Sequence, residues 1–204
     1  IRDREVTAAA NDTVECDGLG NSTALQVWLA SHGGATATDN CTDGADLTWT
    51  NNFNDLSDLC GATGAATVTF TVEDEYGNTS STTATFTIQD ETNPTIDMAA
   101  SNQTVECDGA GNTAALTAWL NSNGGAAASD VCSNVTWTNN FTALSDDCGA
   151  TGSATVTFTA TDDCDNANST TATFTIVDTT NPSMDTSSSD ETVECDGSGN
   201  TAAL

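Results

Sequence analysis

Two stretches of the chain alternate apolar and threonine side chains with a period of two. Residues 67–72 read T-V-T-F-T-V and residues 82–88 read T-T-A-T-F-T-I, and closely similar patterns return at 155–160 and 170–176. Because successive side chains of a strand point to opposite faces, this alternation predicts two half-buried antiparallel strands in each half. The stretch between the first two, residues 74–78, is rich in turn-forming residues and predicts a hairpin loop.

A helical pattern, with apolar residues at positions i, i+3 and i+4, occupies residues 22–31. Leu25, Trp28 and Leu29 would share one face of a helix there, and the glycine pair at 33–34 would end it. The same triplet recurs in the second half of the chain. We expect this helix to close one open end of a β-sandwich, with its apolar face in the core.

The clearest feature of the sequence is internal repetition. The string T-V-E-C-D-G begins at Thr13, Thr104 and Thr192, about 90 residues apart, and other strings follow it in the same order. The predicted domains are therefore repeat 1 (1–90), repeat 2 (91–178), and a junction with the opening of an incomplete third repeat (179–204). We interpret the chain as a window on a longer array of repeats.

Units of this length with many short strands predict an all-β fold of tandem immunoglobulin-like β-sandwich repeats. Each repeat would carry one short helix after its first strand. Trp49 and Trp137 fall on a further strand of each repeat, where a tryptophan is typical of a core anchor.

Charge narrows the possible partners. The chain has 30 Asp and Glu against 2 Lys and Arg, a net charge of -28. Nucleic acid needs a basic face, so it is excluded as a partner, and so are anionic membrane surfaces. No apolar run is long enough for direct membrane insertion. The remaining partners are neighbouring repeats or filament subunits, with a surface or glycan target also possible. A compact chain with this net charge repels itself, and bound cations would offset the repulsion. The alternative is a solvated acidic coat.

Eight cysteines in a chain with small cores indicate disulfides and an oxidising, extracellular or cell-surface location. Each repeat has four cysteine places: after T-V-E, before the tryptophan strand, before the T-V-T-F-T strand, and in the hairpin loop. The fourth place holds Tyr76 in repeat 1 and Cys164 in repeat 2. A zinc site is not predicted, because C-x-x-C pairs are absent and His32 is the single histidine.

The topology of an immunoglobulin-like sandwich selects one of the three possible pairings. The first cysteine place, at the end of the first strand, should meet the third place, in the turn before the penultimate strand. The second and fourth places should meet at the opposite end of the sandwich. Cys41 would then be a free or intermolecularly bonded thiol, because Tyr76 removes its partner. The predicted disulfides are Cys16 with Cys60, Cys107 with Cys148, and Cys132 with Cys164.

Acidic clusters recur in three loops and predict a structural calcium ion, since calcium prefers carboxylate and amide oxygens. The clusters follow the first strand, occupy the hairpin loop, and form the junction between repeats. Asp, Asn and Gly are also ordinary turn residues, and this alternative applies to each loop taken alone. The predicted metal-site residues are Glu15, Asp17, Asp90, Asn93, Glu106, Asp108, Asp130, Asp162, Asp163, Asn166, Asp178 and Asn181, and the third repeat would add Glu194, Asp196 and Asn200.

Several strings resemble the hyalin-repeat-like (HYR-like) family. They are A-T-D-N-C (37–41), A-T-D-D-C-D-N (160–166) and D-T-T-N-P (178–182). The T-V-E-C-D-G-x-G-N opening and the C-G-A-T-G-x-A-T-V-T-F-T stretch resemble the version found in large cell-surface adhesins of gliding bacteria, which are often exported by type IX secretion. The resemblance implies immunoglobulin-like modules in a stalk or filament that serves adhesion or surface motility. Looser resemblance links the junction to the calcium-binding linkers of cadherins.

These features predict a structural stalk or filament repeat of a long extracellular cell-surface adhesin, rigidified by disulfides and calcium at the junctions. The alternative is a self-assembling, pilus-like subunit completed by a neighbouring chain. A carbohydrate-binding module is a third hypothesis, but it needs exposed aromatic side chains. We expect no enzymatic activity, because no nucleophile elbow or phosphate loop is present. N-x-S/T sequons make a glycoprotein possible, although a chain rich in Thr and Asn contains them by composition.

Overall fold

The computed structural model describes residues 6–195 and 197. In repeat 1 the chain forms six strands, one α-helix and two short 3-10 turns. The strands are β1 (Val6–Thr7), β2 (Asp12–Glu15), β3 (Thr36–Ala37), β4 (Thr48–Asn51), β5 (Gly64–Glu73) and β6 (Thr79–Gln89), the helix is α1 (Ser22–Ala30), and the 3-10 turns span His32–Gly34 and Gly44–Asp46.

Repeat 2 has the same order of strands and helix, with one 3-10 turn after the helix. Its strands are β7 (Thr95–Met98), β8 (Gln103–Glu106), β9 (Ala127–Ser129), β10 (Val135–Asn139), β11 (Gly152–Asp162) and β12 (Ala167–Val177), its helix is α2 (Thr113–Asn121), and its 3-10 turn spans Asn123–Gly125.

Each repeat builds one four-stranded sheet, in the order β2-β6-β5-β4 or β8-β12-β11-β10. The long strands pair antiparallel, with Phe70 opposite Thr82, as the alternating pattern predicts. Strand β2, which contains the T-V-E part of the T-V-E-C-D-G motif, adds at the edge in parallel, with Val14 opposite Ile88. A two-stranded sheet, β1-β3 or β7-β9, completes each repeat. The segment after its first strand bonds to the turn that follows the helix, as the Ala10 amide does to the Gly33 carbonyl (2.9 Å). The predicted all-β fold of tandem immunoglobulin-like sandwiches is confirmed.

The core of each repeat lies between the four-stranded sheet and the helix. In repeat 1 Trp28 packs against Phe70 and Phe86, with ring centroids 5.2 and 5.5 Å apart. Both phenylalanines are fully buried, because they occupy the apolar face of the alternating strands. Truncating either to alanine is expected to cost about 3–5 kcal/mol. The opposite face is lined by threonines, whose hydroxyls pair across the strands, as at Thr67 and Thr85 (3.0 Å).

The predicted helix is present, but it covers the middle of the buried sheet face rather than an open end, since Trp28 lies over the central strands. It follows strand β2, and a two-residue strand, β1, precedes that strand. Trp49 is half-buried at the edge of the core, where it stacks on His32 at 4.4 Å. Burial lowers the pKa of His32. No helix in the described part of the chain is long and apolar enough to cross a membrane.

The predicted disulfide pairing is wrong. Cys16 pairs with Cys132 (Cα–Cα 6.1 Å) and Cys60 pairs with Cys164 (Cα–Cα 5.2 Å), so both bridges join repeat 1 to repeat 2. The two cysteines of each predicted pair do lie at the same end of a repeat. The distal end of repeat 1, which carries Cys16 and Cys60, faces the proximal end of repeat 2, which carries Cys132 and Cys164. Each cysteine therefore pairs across the junction and not with its neighbour at the same end.

The remaining cysteines of the described residues are not bridged. Cys107 and Cys148, which the sequence argument paired with each other, are both free thiols. Cys41 is free and exposed, which agrees with its prediction as an odd thiol, and Cys195 is also free and exposed.

Candidate metal centre at the junction of the two repeats

Three segments bring carboxylates to the junction. Strand β6 ends at Gln89 and delivers Asp90 to it. Asp130 follows strand β9, at the start of the loop that carries Cys132. Asp162 is the last residue of strand β11 and begins the hairpin loop of repeat 2. The site therefore combines one carboxylate of repeat 1 with two of repeat 2, and a single repeat cannot form it.

Asp90 is the most constrained of these carboxylates, with only 8% of its surface exposed. Its Oδ1 accepts a hydrogen bond from the Thr92 amide (3.2 Å). Its Oδ2 is buried and accepts no hydrogen bond from any described residue. A buried carboxylate oxygen without a donor is costly unless it is protonated or binds a cation.

The neighbours of Asp90 increase this cost. Burial is the main cause that raises the pKa of Asp90, and the negative charges of Asp130, Asp162 and Glu15 raise it further, against the lowering effect of the Thr92 amide. Two full charges about 5 Å apart repel each other by roughly 3 kcal/mol at an effective dielectric constant of about 20. A cation at this point would remove the repulsion from all of these groups together.

Backbone amides hold the two carboxylates of repeat 2 in place. Asp130 Oδ1 accepts from the amides of Cys132 (2.8 Å) and Ser133 (3.1 Å). Asp162 Oδ1 accepts from the amides of Cys164 and Asn166, both at 2.8 Å. Each loop thus fixes its carboxylate before any ion binds, which reduces the ordering needed on binding.

Asn166 connects the two repeats directly. Its side-chain amide donates to Asp162 Oδ2 (2.9 Å) and also to the backbone carbonyl of Asp90 (3.0 Å). The amide nitrogen is therefore committed to these two oxygens. Asn166 is predicted from the sequence as a metal ligand, and that prediction concerns its side-chain oxygen; its amide nitrogen positions the residues around the site.

The donor set favours a hard cation. Ligand atoms of Asp90, Asp130 and Cys132 lie within 4.8 Å of one another. The sulfur of Cys132 is bonded to Cys16 and is not available as a thiolate. The oxygens of Asp90 and Asp130 remain, with Asp162 beside them, and carboxylate oxygens are the ligands that calcium prefers.

Glu15, another predicted ligand, fixes the junction segment instead. It accepts from the amide of Glu91 (2.9 Å) and from the hydroxyl of Thr92 (2.6 Å). The hydroxyl bond to Thr92 is the largest of the causes that lower the pKa of Glu15. Its charge reaches Asp90 electrostatically, so it contributes to the field of the site.

Asp17 and Asp108 are not brought to the metal centre. Asp17 Oδ1 accepts from the amides of Leu19 (2.8 Å) and Asn21 (2.9 Å), within its own loop. Asp108 makes the equivalent bonds to Ala110 and Asn112. These amide bonds lower the pKa of both carboxyls. For these two residues the alternative of an ordinary turn residue explains the structure.

The other predicted residues make local bonds of their own or are exposed. Asp163 accepts from Asn134 within repeat 2 (3.3 Å). Glu106 and Asp178 lie at the distal end of repeat 2, where Glu106 accepts from Thr179 and Thr180. The side chains of Asn93 and Asn181 are exposed, as are those of Asp178 and Glu194, while Asp196 and Asn200 lie outside the described residues.

Sequence reasoning missed that the four cysteines of the junction belong to the same place as the carboxylates. Cys132 follows Asp130 by two residues, and Cys164 follows Asp162 by two. In both loops the aspartate caps the amide of the cysteine. The recurring D-x-C spacing is therefore the sequence signal that links the two features.

No known protein-family profile matches the sequence, and no curated protein matches it either.

Solved structures of cadherin ectodomains are similar to the chain at low identity. Human desmocollin-1 matches at 12% identity over 71% of this chain and 37% of that chain, with a TM-score of 0.28. Drosophila N-cadherin EC1-4 matches at 8% identity over 87% and 50%, with a TM-score of 0.31. Human CDH23 EC21-23 matches at 16% identity over 55% and 43%, with a TM-score of 0.28. The chain thus spans half or less of each, and TM-scores this low carry no inference about its ligands.

Proposed function

We propose that this chain is a structural repeat pair of an extracellular stalk or filament, in which a calcium ion and two disulfides lock one repeat onto the next. The observation that carries the proposal is the buried Asp90 carboxylate, which has an unpartnered oxygen and faces Asp130 and Asp162 across the junction. The role is mechanical and needs no catalytic group. The resemblance to HYR-like repeats supports a bacterial cell-surface adhesin as the parent protein.

The ion would act by joining carboxylates that belong to different repeats. Asp90 comes from repeat 1, and Asp130 and Asp162 come from repeat 2, so separating the repeats would break the coordination. Because only the docked state holds all three oxygen groups, calcium stabilises docking according to its concentration relative to its dissociation constant. At calcium concentrations about 100 times the dissociation constant, the gain is about 2.7 kcal/mol.

The disulfides supply the second lock, and they support an extracellular location. Bridges between repeats survive only in an oxidising compartment. Together with the ion they restrict hinge motion between the repeats, which suits an element that transmits force along its length.

Isothermal titration calorimetry with calcium tests the proposal on three versions of the chain. The natural sequence should bind calcium at the junction, Asp90→Asn should lose that binding, and Asp178→Asn should retain it. Asp178 is the matched control because it holds the same position in repeat 2 but is exposed. Equal binding by all three proteins would refute the metal centre.

A further inference from the structure

We propose that the distal end of repeat 2 is a docking surface for a further repeat of the same kind, which it captures through two disulfides formed by Cys107 and Cys148. The incoming repeat must supply cysteines at the places that Cys132 and Cys164 hold in repeat 2. This inference rests on the disulfides and on the geometry of the two ends, and it does not depend on calcium.

The Cys107 loop is already built like the Cys16 loop that carries a bridge. The Cys107 amide donates to the last strand of its own repeat at 2.7 Å, as the Cys16 amide does. The Gly109 amide donates to the sulfur of Cys107 at 3.3 Å, and the Gly18 amide donates to the sulfur of Cys16 at 3.4 Å. Both sulfurs also lie near a carbonyl of the neighbouring turn, at 3.8 and 3.7 Å.

The turn that carries Cys148 repeats the turn that carries Cys60. The hydroxyl of Thr151 donates to the carbonyl of Cys148 at 2.7 Å, and Thr63 makes the same bond to Cys60 at 2.6 Å. The threonine hydroxyl also lies near the cysteine sulfur in both turns, at 3.8 and 3.4 Å. Cys107 and Cys148 therefore have the same local arrangement as Cys16 and Cys60, which form the two bridges from repeat 1 to repeat 2.

The two ends differ in what covers them. A Cβ added at Gly18 would lie 2.6 Å from the carbonyl oxygen of Val131, and one at Gly61 would lie 2.6 Å from that of Cys132, because the backbone of repeat 2 packs there. A Cβ added at the equivalent Gly109 or Gly149 would meet no atom of the described residues within 4 Å.

Backbone bonding and burial show the same difference. The Ala62 amide donates to the Cys132 carbonyl across the junction (2.7 Å), whereas the equivalent Ala150 amide donates to no backbone carbonyl of the described residues. Asp178 is exposed, although its counterpart Asp90 is buried. Among the described residues, the distal end of repeat 2 thus carries the features of one half of the junction and contacts no second half.

The proximal end of repeat 1 indicates which repeats fit. Its Asp39 caps the amide of Cys41 at 2.9 Å, as Asp130 caps Cys132. Its hairpin loop is folded like that of repeat 2, with Asp74 accepting from the amide at position 76 at 3.0 Å. Tyr76 stands where Cys164 stands in repeat 2, so a repeat of this kind can form one bridge only. The full partner of the distal end is a repeat with cysteines at both places.

The chemistry is the oxidation of paired thiols by a low-molecular-weight disulfide such as oxidised glutathione. A thiolate of Cys107 or Cys148 attacks the glutathione disulfide and forms a mixed disulfide, and one glutathione leaves as a thiol. The cysteine thiolate of the incoming repeat then attacks the protein sulfur of the mixed disulfide, and the second glutathione leaves as a thiol. Each bridge therefore transfers two electrons to one glutathione disulfide and yields two glutathione thiols.

A second copy of the chain can stand in for the further repeat. We would make Tyr76→Cys in a Cys195→Ser background, so that the proximal end gains its second thiol and the exposed Cys195 cannot cross-link. Tyr76 is 78% exposed in a hairpin loop, so the substitution removes no core contact. The proteins are incubated in a glutathione redox buffer, separated without reductant and mapped by mass spectrometry.

We expect head-to-tail oligomers that carry two bridges, Cys41 with Cys107 and position 76 with Cys148. Without Tyr76→Cys, only the bridge between Cys41 and Cys107 should form. The second bridge forms within an already linked pair. The doubly bridged oligomers should therefore resist a concentration of reduced glutathione roughly tenfold higher than the singly bridged oligomers do. Adding Cys107→Ser and Cys148→Ser should abolish linkage.

Three results would overturn the proposal: a bridge between Cys107 and Cys148 within one chain, glutathione adducts on both without linkage, or links without this pairing.

Discussion

The junction between the repeats and the distal end of repeat 2 carry nearly the same residues but differ in environment. The junction segment D-E-T-N-P places Asp90 in a buried position, whereas the segment D-T-T-N-P leaves Asp178 exposed. Glu15 and Glu106 hold the two segments through similar bonds to threonine. The difference comes from the next repeat, which covers Asp90 and adds two carboxylates.

This comparison shows that the metal centre is a property of a pair of repeats. Asp90 becomes a candidate ligand only when repeat 2 removes water from one of its oxygens and brings Asp130 and Asp162 close. The equivalent carboxylate at the distal end of repeat 2, Asp178, is exposed to solvent. A single exposed aspartate binds calcium weakly, because it supplies few of the oxygens that the ion needs.

The largest expected effect comes from breaking one bridge of the junction. Replacing both Cys60 and Cys164 by serine should lower the free energy of unfolding by about 4 kcal/mol or less, since a bridge that closes a long loop restricts the unfolded chain. The equivalent change at the distal end of repeat 2, Cys107→Ser with Cys148→Ser, should leave the free energy of unfolding nearly unchanged. Urea denaturation, followed by tryptophan fluorescence, measures both. Equal losses in the two double variants would contradict the inter-repeat pairing.

The next effect concerns pH in the absence of calcium. The folded-state pKa of Asp90 is raised, so its contribution to stability is largest at low pH and is lost as pH rises through that pKa. Lowering the pH from neutral should therefore raise the melting temperature of the chelated protein, until the pH nears the ordinary glutamate value of 4.5 and Glu15, whose pKa is lowered, begins to lose its contribution.

Asp90→Asn should remove the rise on acidification, and Asp178→Asn should keep it. Melting curves at several pH values, recorded by circular dichroism with chelator present, would show this. A rise of equal size in Asp90→Asn would assign the effect to other groups.

The smallest effect separates the two glutamates. Glu15→Gln and Glu106→Gln remove the same kind of charged acceptor from a junction segment, so both should lower the melting temperature slightly. Only Glu15→Gln should also weaken calcium binding, because the charge of Glu15 acts on Asp90. Titration calorimetry distinguishes them, and equal calcium affinities in the two variants would remove Glu15 from the account of the site.

Much of each repeat follows from local patterns in the sequence. Alternation at 67–72 and 82–88 predicts the antiparallel pair, and the i, i+3, i+4 triplet around Trp28 predicts the helix. These predictions succeed because the period of apolar residues reflects the local backbone and the face that it buries. The acidic strings also include Asp90, Asp130 and Asp162 among the predicted metal-site residues, although they do not separate these three from the others.

The disulfide partners could not be predicted in the same way. Cys16 and Cys60 lie at one end of repeat 1 whether cysteines pair within a repeat, as predicted, or between repeats, as observed. Tyr76 at the fourth cysteine place is compatible with both schemes. The choice depends on how closely the next repeat docks, which is a long-range property. The Asp17 loop illustrates the opposite limit, because its metal-like spacing is used by the backbone amides of Leu19 and Asn21.

The most direct test of the central claim is thermal unfolding of the natural chain and of Asp90→Asn, each with calcium and with chelator. If a cation offsets the repulsion at the junction, calcium should raise the melting temperature of the natural chain and have little effect on the variant. In chelator the order should reverse, with Asp90→Asn the more stable protein because the uncompensated charge is gone. A natural chain whose melting temperature is unchanged by calcium, and which is more stable than the variant in chelator, would contradict the account.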